Sequence, residues 1–132
     1  MLKRVLLSGL FIFVAWAFLD LLLHRLVLSH LYEQNAGLLR PFDQMNITLV
    51  YIASFGMIVA FVGTYLMLVR PKSLGAGLLY GAFIGFALGI SIGFGTYIHM
   101  PIPLVIAGCW LMGGCLKGLA AGAIVGKLIT DF

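Results

Sequence analysis

Asp20 and His24 lie four residues apart in the apolar stretch "FLDLLLHRLVLSH", residues 18–30. That spacing puts both side chains on one helix face, one turn apart, with Trp16 preceding them on the same face. A carboxylate and an imidazole so placed can form a hydrogen bond or ion pair, handle a proton, or begin a metal site. His99 and Met100 close a later apolar stretch, and Cys109 opens the next one from the same side. Imidazole, thioether and thiolate are ligands that copper, zinc or haem iron accepts. His24, His99 and Met100, with Asp20 in reserve, are therefore the candidate metal or haem ligands. The plainer alternative is a structural Asp20–His24 pair, because Met and Cys are ordinary apolar fillers and histidines are common at helix ends. No two ligands show the spacing of HExxH or CxxC, so the expectation is no cofactor.

Lys117 is the second charge inside an apolar stretch. At about 1.5 Å per helical residue it lies roughly 20 Å beyond Leu104. By the same counting Asp20 sits more than a turn farther toward the opposite end, so a direct Asp20–Lys117 contact is not expected. Lys117 is expected to snorkel toward the nearer surface. The alternative is that it meets a lipid phosphate or a carboxylate from another chain, which points to assembly.

The elements that carry these residues follow from composition. Of 132 residues, 63% are hydrophobic and 9% charged, with a mean hydropathy of +1.16. Soluble domains carry about 25% charged residues, so this composition predicts an integral membrane protein. Only helices and closed barrels satisfy the backbone in lipid, and the apolar stretches are much longer than barrel strands. The predicted fold is all-α: one domain over residues 1–132, an antiparallel bundle of four transmembrane helices. The spans run at about 5–28, 47–69, 74–98 and 104–129, each near the roughly 20 residues that cross a bilayer. Lys3, Arg4, the run from Val5 to Val14 and Ala15-Trp16-Ala17 have the outline of a signal peptide. The apolar character continues to Leu28, however, and the segment is read as a retained first span.

The turns "RPKS" and "HMPIP" are short and force neighbouring helices to be antiparallel. Lys3, Arg4, Arg70, Lys72 and Lys127 fall on one side, and Arg25 and Arg40 on the other. The positive-inside rule places both termini in the cytoplasm. Basic residues at segment ends follow that rule, so the net charge of +4 does not indicate nucleic acid. Arg25 is expected to point away from the Asp20–His24 face and reach the outer headgroups. The first loop is expected to lie along the interface as a short amphipathic helix broken at Pro41, with Tyr32 in the headgroup layer. Cys109 and Cys115 are six residues apart on one helix, facing different ways, and should not form a disulfide.

Glycine recurs every fourth residue at Gly77, Gly81, Gly85, Gly89 and Gly93, and again at Gly114, Gly118, Gly122 and Gly126. A face of glycines lets another backbone approach closely, and lipid supplies little other force between helices. These glycine zippers are expected to be packing surfaces. A ring of identical subunits would be the functional alternative, but a rotor-type ring needs a carboxylate in a later span, and the last three spans have none.

Trp16, Leu19-Asp20, His24, Leu31-Tyr32, Arg40-Pro41 and Met45, followed by "RPKS" and a glycine-rich second half, resemble a type of small bacterial four-helix membrane protein. The resemblance implies the bacterial inner membrane and brings no activity or functional residue with it. The chain has no nucleophile–base pair, paired in-membrane carboxylates or phosphate loop, and it is not expected to be an enzyme by itself. The leading expectation is an accessory subunit that packs against a larger membrane complex through its glycine faces and Lys117. Its partners would be membrane lipids and other membrane subunits or copies of itself. A homo-oligomeric channel or small transporter, with Asp20 and His24 lining an outer vestibule, is the runner-up. An outer-face metal or haem binder comes third.

Overall fold

The computed structural model describes every residue except Pro41 and Phe132. The expected helix break at Pro41 lies outside the described residues. Helix α1 covers Leu2–Asp20 and runs directly into a π-helical segment, Leu21–Val27. A short helix α2 follows at Ser29–Gln34, then a 3-10 turn at Phe42–Gln44. Helices α3 (Ile47–Leu68), α4 (Leu74–His99) and α5 (Leu104–Leu128) complete the chain. No strand occurs among the described residues. Four helical stretches are long and apolar enough to cross a membrane.

Local chemistry sets the boundaries. The Asn46 side chain accepts from the Leu49 N–H, and the Ser73 hydroxyl accepts from the Ala76 N–H, so each side chain satisfies an amide that the first helical turn leaves without a partner. Pro103 precedes α5, where a missing N–H removes no helical bond.

The only buried residues of α4 are its five periodic glycines. Gly77 faces Gly122 and Gly126, Gly81 faces Gly118 and Gly122, Gly85 faces Gly114 and Gly118, and Gly93 faces Ala107. Partner numbers fall as numbers along α4 rise, so α4 and α5 run in opposite directions. The helices meet backbone to backbone: a methyl group built on Gly114 would stand 2.8 Å from the Gly89 Cα. Both glycine faces are thereby used inside the chain.

Larger side chains hold the other helices. Ile12 and Trp16 of α1, Ile58, Phe61, Val62 and Tyr65 of α3, and Ala121 and Val125 of α5 form the main core. Helix α3 meets α4 through aromatics, with Tyr80 Oη donating to the Phe61 carbonyl at 2.7 Å and the two rings 4.7 Å apart. A second cluster of Leu28, Ile102, Ile106 and Ala107 closes the end that carries the first loop. At the opposite end Met1, Arg70, Lys72 and Asp131 line one cleft. There Asp131 accepts from the Lys72 backbone and pairs with Arg70. The chain termini and the "RPKS" turn therefore share an end. Leu6, Phe55, Phe83 and Ile98 are among the large apolar side chains left facing outward.

Gly81→Ala is expected to cost about 1–3 kcal/mol through overpacking, read as a lower thermal unfolding midpoint in detergent. Gly56→Ala, whose added methyl meets open space, should leave the midpoint unchanged or raise it.

Candidate functional site

Asp20 is the last residue of α1, and His24 and Arg25 lie in the π-helical segment that follows. The wide turn is visible in the Leu28 N–H, which bonds the Leu23 carbonyl five residues back at 2.9 Å. Such segments recur at functional sites. A wider turn rotates each residue through a smaller angle, so successive side chains reach round one side of the helix. Arg25, expected to point away, lines the same cavity as Asp20 and His24.

Lys117 gives the main correction. Its ammonium stands 3.1 Å from both carboxylate oxygens of Asp20. Trp16 explains how. Its indole Nε1 donates to the Lys117 carbonyl at 2.9 Å, fixing the Lys117 backbone at the level of Trp16. The lysine stem then climbs one turn of α1, passing its ammonium 5.1 Å from the Trp16 ring centre. Counting residues from span ends assumes that the helices start level, and it ignores the length of the stem. Lys117 thus does not snorkel toward the terminal end, and its carboxylate belongs to the same chain.

His24 has a different principal partner from the one expected. Its Nε2 is 3.7 Å from Asp20 Oδ1, within ion-pair range but too long for a hydrogen bond. Its Nδ1 lies 2.6 Å from the Tyr32 hydroxyl, and the two rings stack at 23°. Trp110 Nε1 donates to the same hydroxyl at 2.6 Å. An indole can only donate, so the Tyr32 oxygen accepts from Trp110 and offers its own proton to His24 Nδ1. In this tautomer the single N–H of the neutral imidazole is on Nε2, on the side of Asp20. Burial pushes the Tyr32 pKa above its ordinary value, against the opposing effect of the Trp110 bond. The hydroxyl therefore keeps its proton at neutral pH and remains a donor.

Tyr32 is thus turned from α2 onto His24 and Trp110. Tyr32 and Trp110 are the site residues that sequence reasoning missed. The one available signal was that buried Tyr and Trp need partners for their polar tips. Their separation of 78 residues hid the pairing.

The candidate metal ligands have other neighbours. His99 Nδ1 bonds the Gly95 carbonyl of its own helix at 2.7 Å on an exposed surface. Met100 packs against the loop-end cluster together with Cys109. Among the described residues, no three His, Cys, Asp or Glu side chains gather closely enough to hold a metal. Cys109 and Cys115 are both free thiols.

The polar groups line a cavity of about 440 Å³ between α1 and α3. Phe13, Ala17, Leu21, Val50 and Ile58 give it apolar walls; Asp20, His24, Tyr32 and Trp110 form its polar side; Arg25 and Arg40 also line it. Small-molecule sites commonly have this character: about 300–1,000 Å³, mostly apolar, with a few placed polar groups. No family model, curated protein or solved structure matches the chain. The geometry of the site itself carries the functional argument.

Lys117→Met would leave Asp20 as a charge without its ammonium. It is expected to destabilise the protein by on the order of 2 kcal/mol more than the Asp20→Asn/Lys117→Met double variant, measured as thermal midpoints in detergent. Tyr32→Phe removes the acceptor of Trp110 and the donor to His24. Its expected cost is about 1–3 kcal/mol, accompanied by a change in Trp110 fluorescence.

Proposed function

We propose that the protein is a small channel or transporter that admits a solute through the cavity walled by Asp20 and His24. The observation carrying this reading is the Asp20–Lys117 pair, a charge pair within membrane-length helices that borders open space. Charges at such depth are costly, and where they occur they commonly mark solute, ion or proton pathways. The Tyr32–His24 hydrogen bond supports the reading too, because it adds a titratable ring to the same wall.

We place the four long helices across a bacterial inner membrane as an antiparallel bundle, with α4 and α5 joined by a glycine zipper in lipid. Lys3, Arg4, Arg70, Lys72 and Lys127 favour cytoplasmic termini, so the cavity and first loop face outward. Reporter fusions at the C-terminus and within residues 35–40 test this orientation, and a periplasmic C-terminus would overturn it.

An accessory subunit of a larger membrane complex is the second reading, supported by the chain's small size and outward apolar surface. Lys117 and the glycine faces no longer argue for it, since both have partners within the chain. We assign no enzymatic reaction.

Purified protein in liposomes is expected to pass a proton, cation or small solute above the rate of protein-free vesicles. The Asp20→Asn/Lys117→Met variant should reduce that flux at least tenfold. Absence of flux for every class of solute, with the protein folded and oriented, would overturn the proposal.

A further inference from the structure

A second cavity of about 310 Å³ lies on the other flank of α3, between it and helices α4 and α5. Among the described residues, Trp16 alone lines both cavities. Asp20 lines the first and Lys117 the second, so their ion pair passes from one cavity to the other beside the Trp16 ring. Trp16 and the pair together form the partition. The indole is anchored to the Lys117 carbonyl and meets the ring of Phe61 edge-on at 6.3 Å.

The chemistry of the walls narrows the solute. Ile84 and Leu88 make the second cavity largely apolar, and Lys117 is its one charged residue among those described. The second cavity has Lys117 and no carboxylate among its described lining residues, and Arg40 lines the first. An ion alone would leave the apolar walls unused, and an uncharged hydrocarbon would make no use of the cations. A molecule with an apolar body and one anionic head satisfies both features.

We propose that the solute is a single-chain amphiphile with a carboxylate head, and that the cavity behind Trp16 is its second binding site. The inference rests on the Asp20–His24 cavity being the solute's entrance. The incoming carboxylate exchanges with Asp20 on the Lys117 ammonium, and the chain lies along Ile84 and Leu88. Helix α3 is positioned to allow this passage. It is tied to α4 at Phe61, Tyr65 and Tyr80, while its loop-end half has open space on one flank and its middle has open space on the other.

The test is photolabelling in phosphatidylcholine nanodiscs with decanoate carrying a terminal diazirine, followed by mapping of the adducts. Adducts suppressed by excess unlabelled decanoate, but not by decanol, are expected at Val50 or Ser54 in the first cavity and at Ile84 or Leu88 in the second. Asp20→Asn/Lys117→Met should reduce second-cavity labelling at least tenfold, and Lys117→Arg, which keeps the charge, should retain it. Competed adducts confined to the first cavity would overturn the second site and leave the entrance standing. Equal competition by decanol, or full labelling of the double variant, would overturn the anionic head. Lack of competed adducts in either cavity would overturn the amphiphile, while flux of another solute would still uphold the entrance.

Discussion

The backbone contact between α4 and α5 is the constraint on which the rest depends. Within lipid the hydrocarbon outside a helix is as apolar as any side chain inside, so close packing must replace hydrophobic burial. Glycines at every fourth position meet each other's backbone on both helices, and a single added methyl would collide along most of the seam. A fixed α5 then presents a neighbouring face, which carries Gly113 and Lys117, to the first helix and its π-helical extension. The Trp16 indole bonds the Lys117 carbonyl, and the lysine side chain is delivered to Asp20. The pair of helices is thus the wall against which α1 and α3 arrange themselves.

The charge pair acquires its significance from that setting. Removing two charges from water costs several kcal/mol for each ion, and their attraction repays it only when the geometry is good. Here one ammonium is equidistant from two carboxylate oxygens, with an aromatic face beside it. Well-packed apolar residues could fill the same space with less electrostatic cost. The proposed solute pathway gives a reason for the pair to stand beside a cavity. The Trp110–Tyr32–His24 chain performs the complementary task of fixing the imidazole next to the carboxylate.

The four long helices were legible in the sequence, since twenty-residue apolar runs and short turns admit few other readings; the first begins earlier than expected, at Leu2. Gly77 through Gly93 and Gly114 through Gly126 were legible as packing faces because a period of four is a local property of a helix. What they pack against was not local, and the answer is each other. Asp20, His24 and Lys117 stood out because they are expensive in apolar surroundings. Their pairing was misjudged because register between helices depends on tilt, relative height and side-chain reach, none of which residue counting contains. The turn at Leu21–Val27 has no proline or glycine to announce it, and it carries Arg25 into the cavity. The bond between Tyr32 and Trp110 was not legible, because 78 residues separate them.

A solute-handling protein and an accessory subunit predict different masses in the native membrane. Native mass spectrometry of the untagged protein, gently extracted from its own membranes, measures that difference directly. The account predicts this 14.3 kDa chain or its whole multiples, carrying a small-molecule adduct that is lost from the Asp20→Asn/Lys117→Met variant. A mass that always includes larger partner chains, with no adduct on this one, would contradict it.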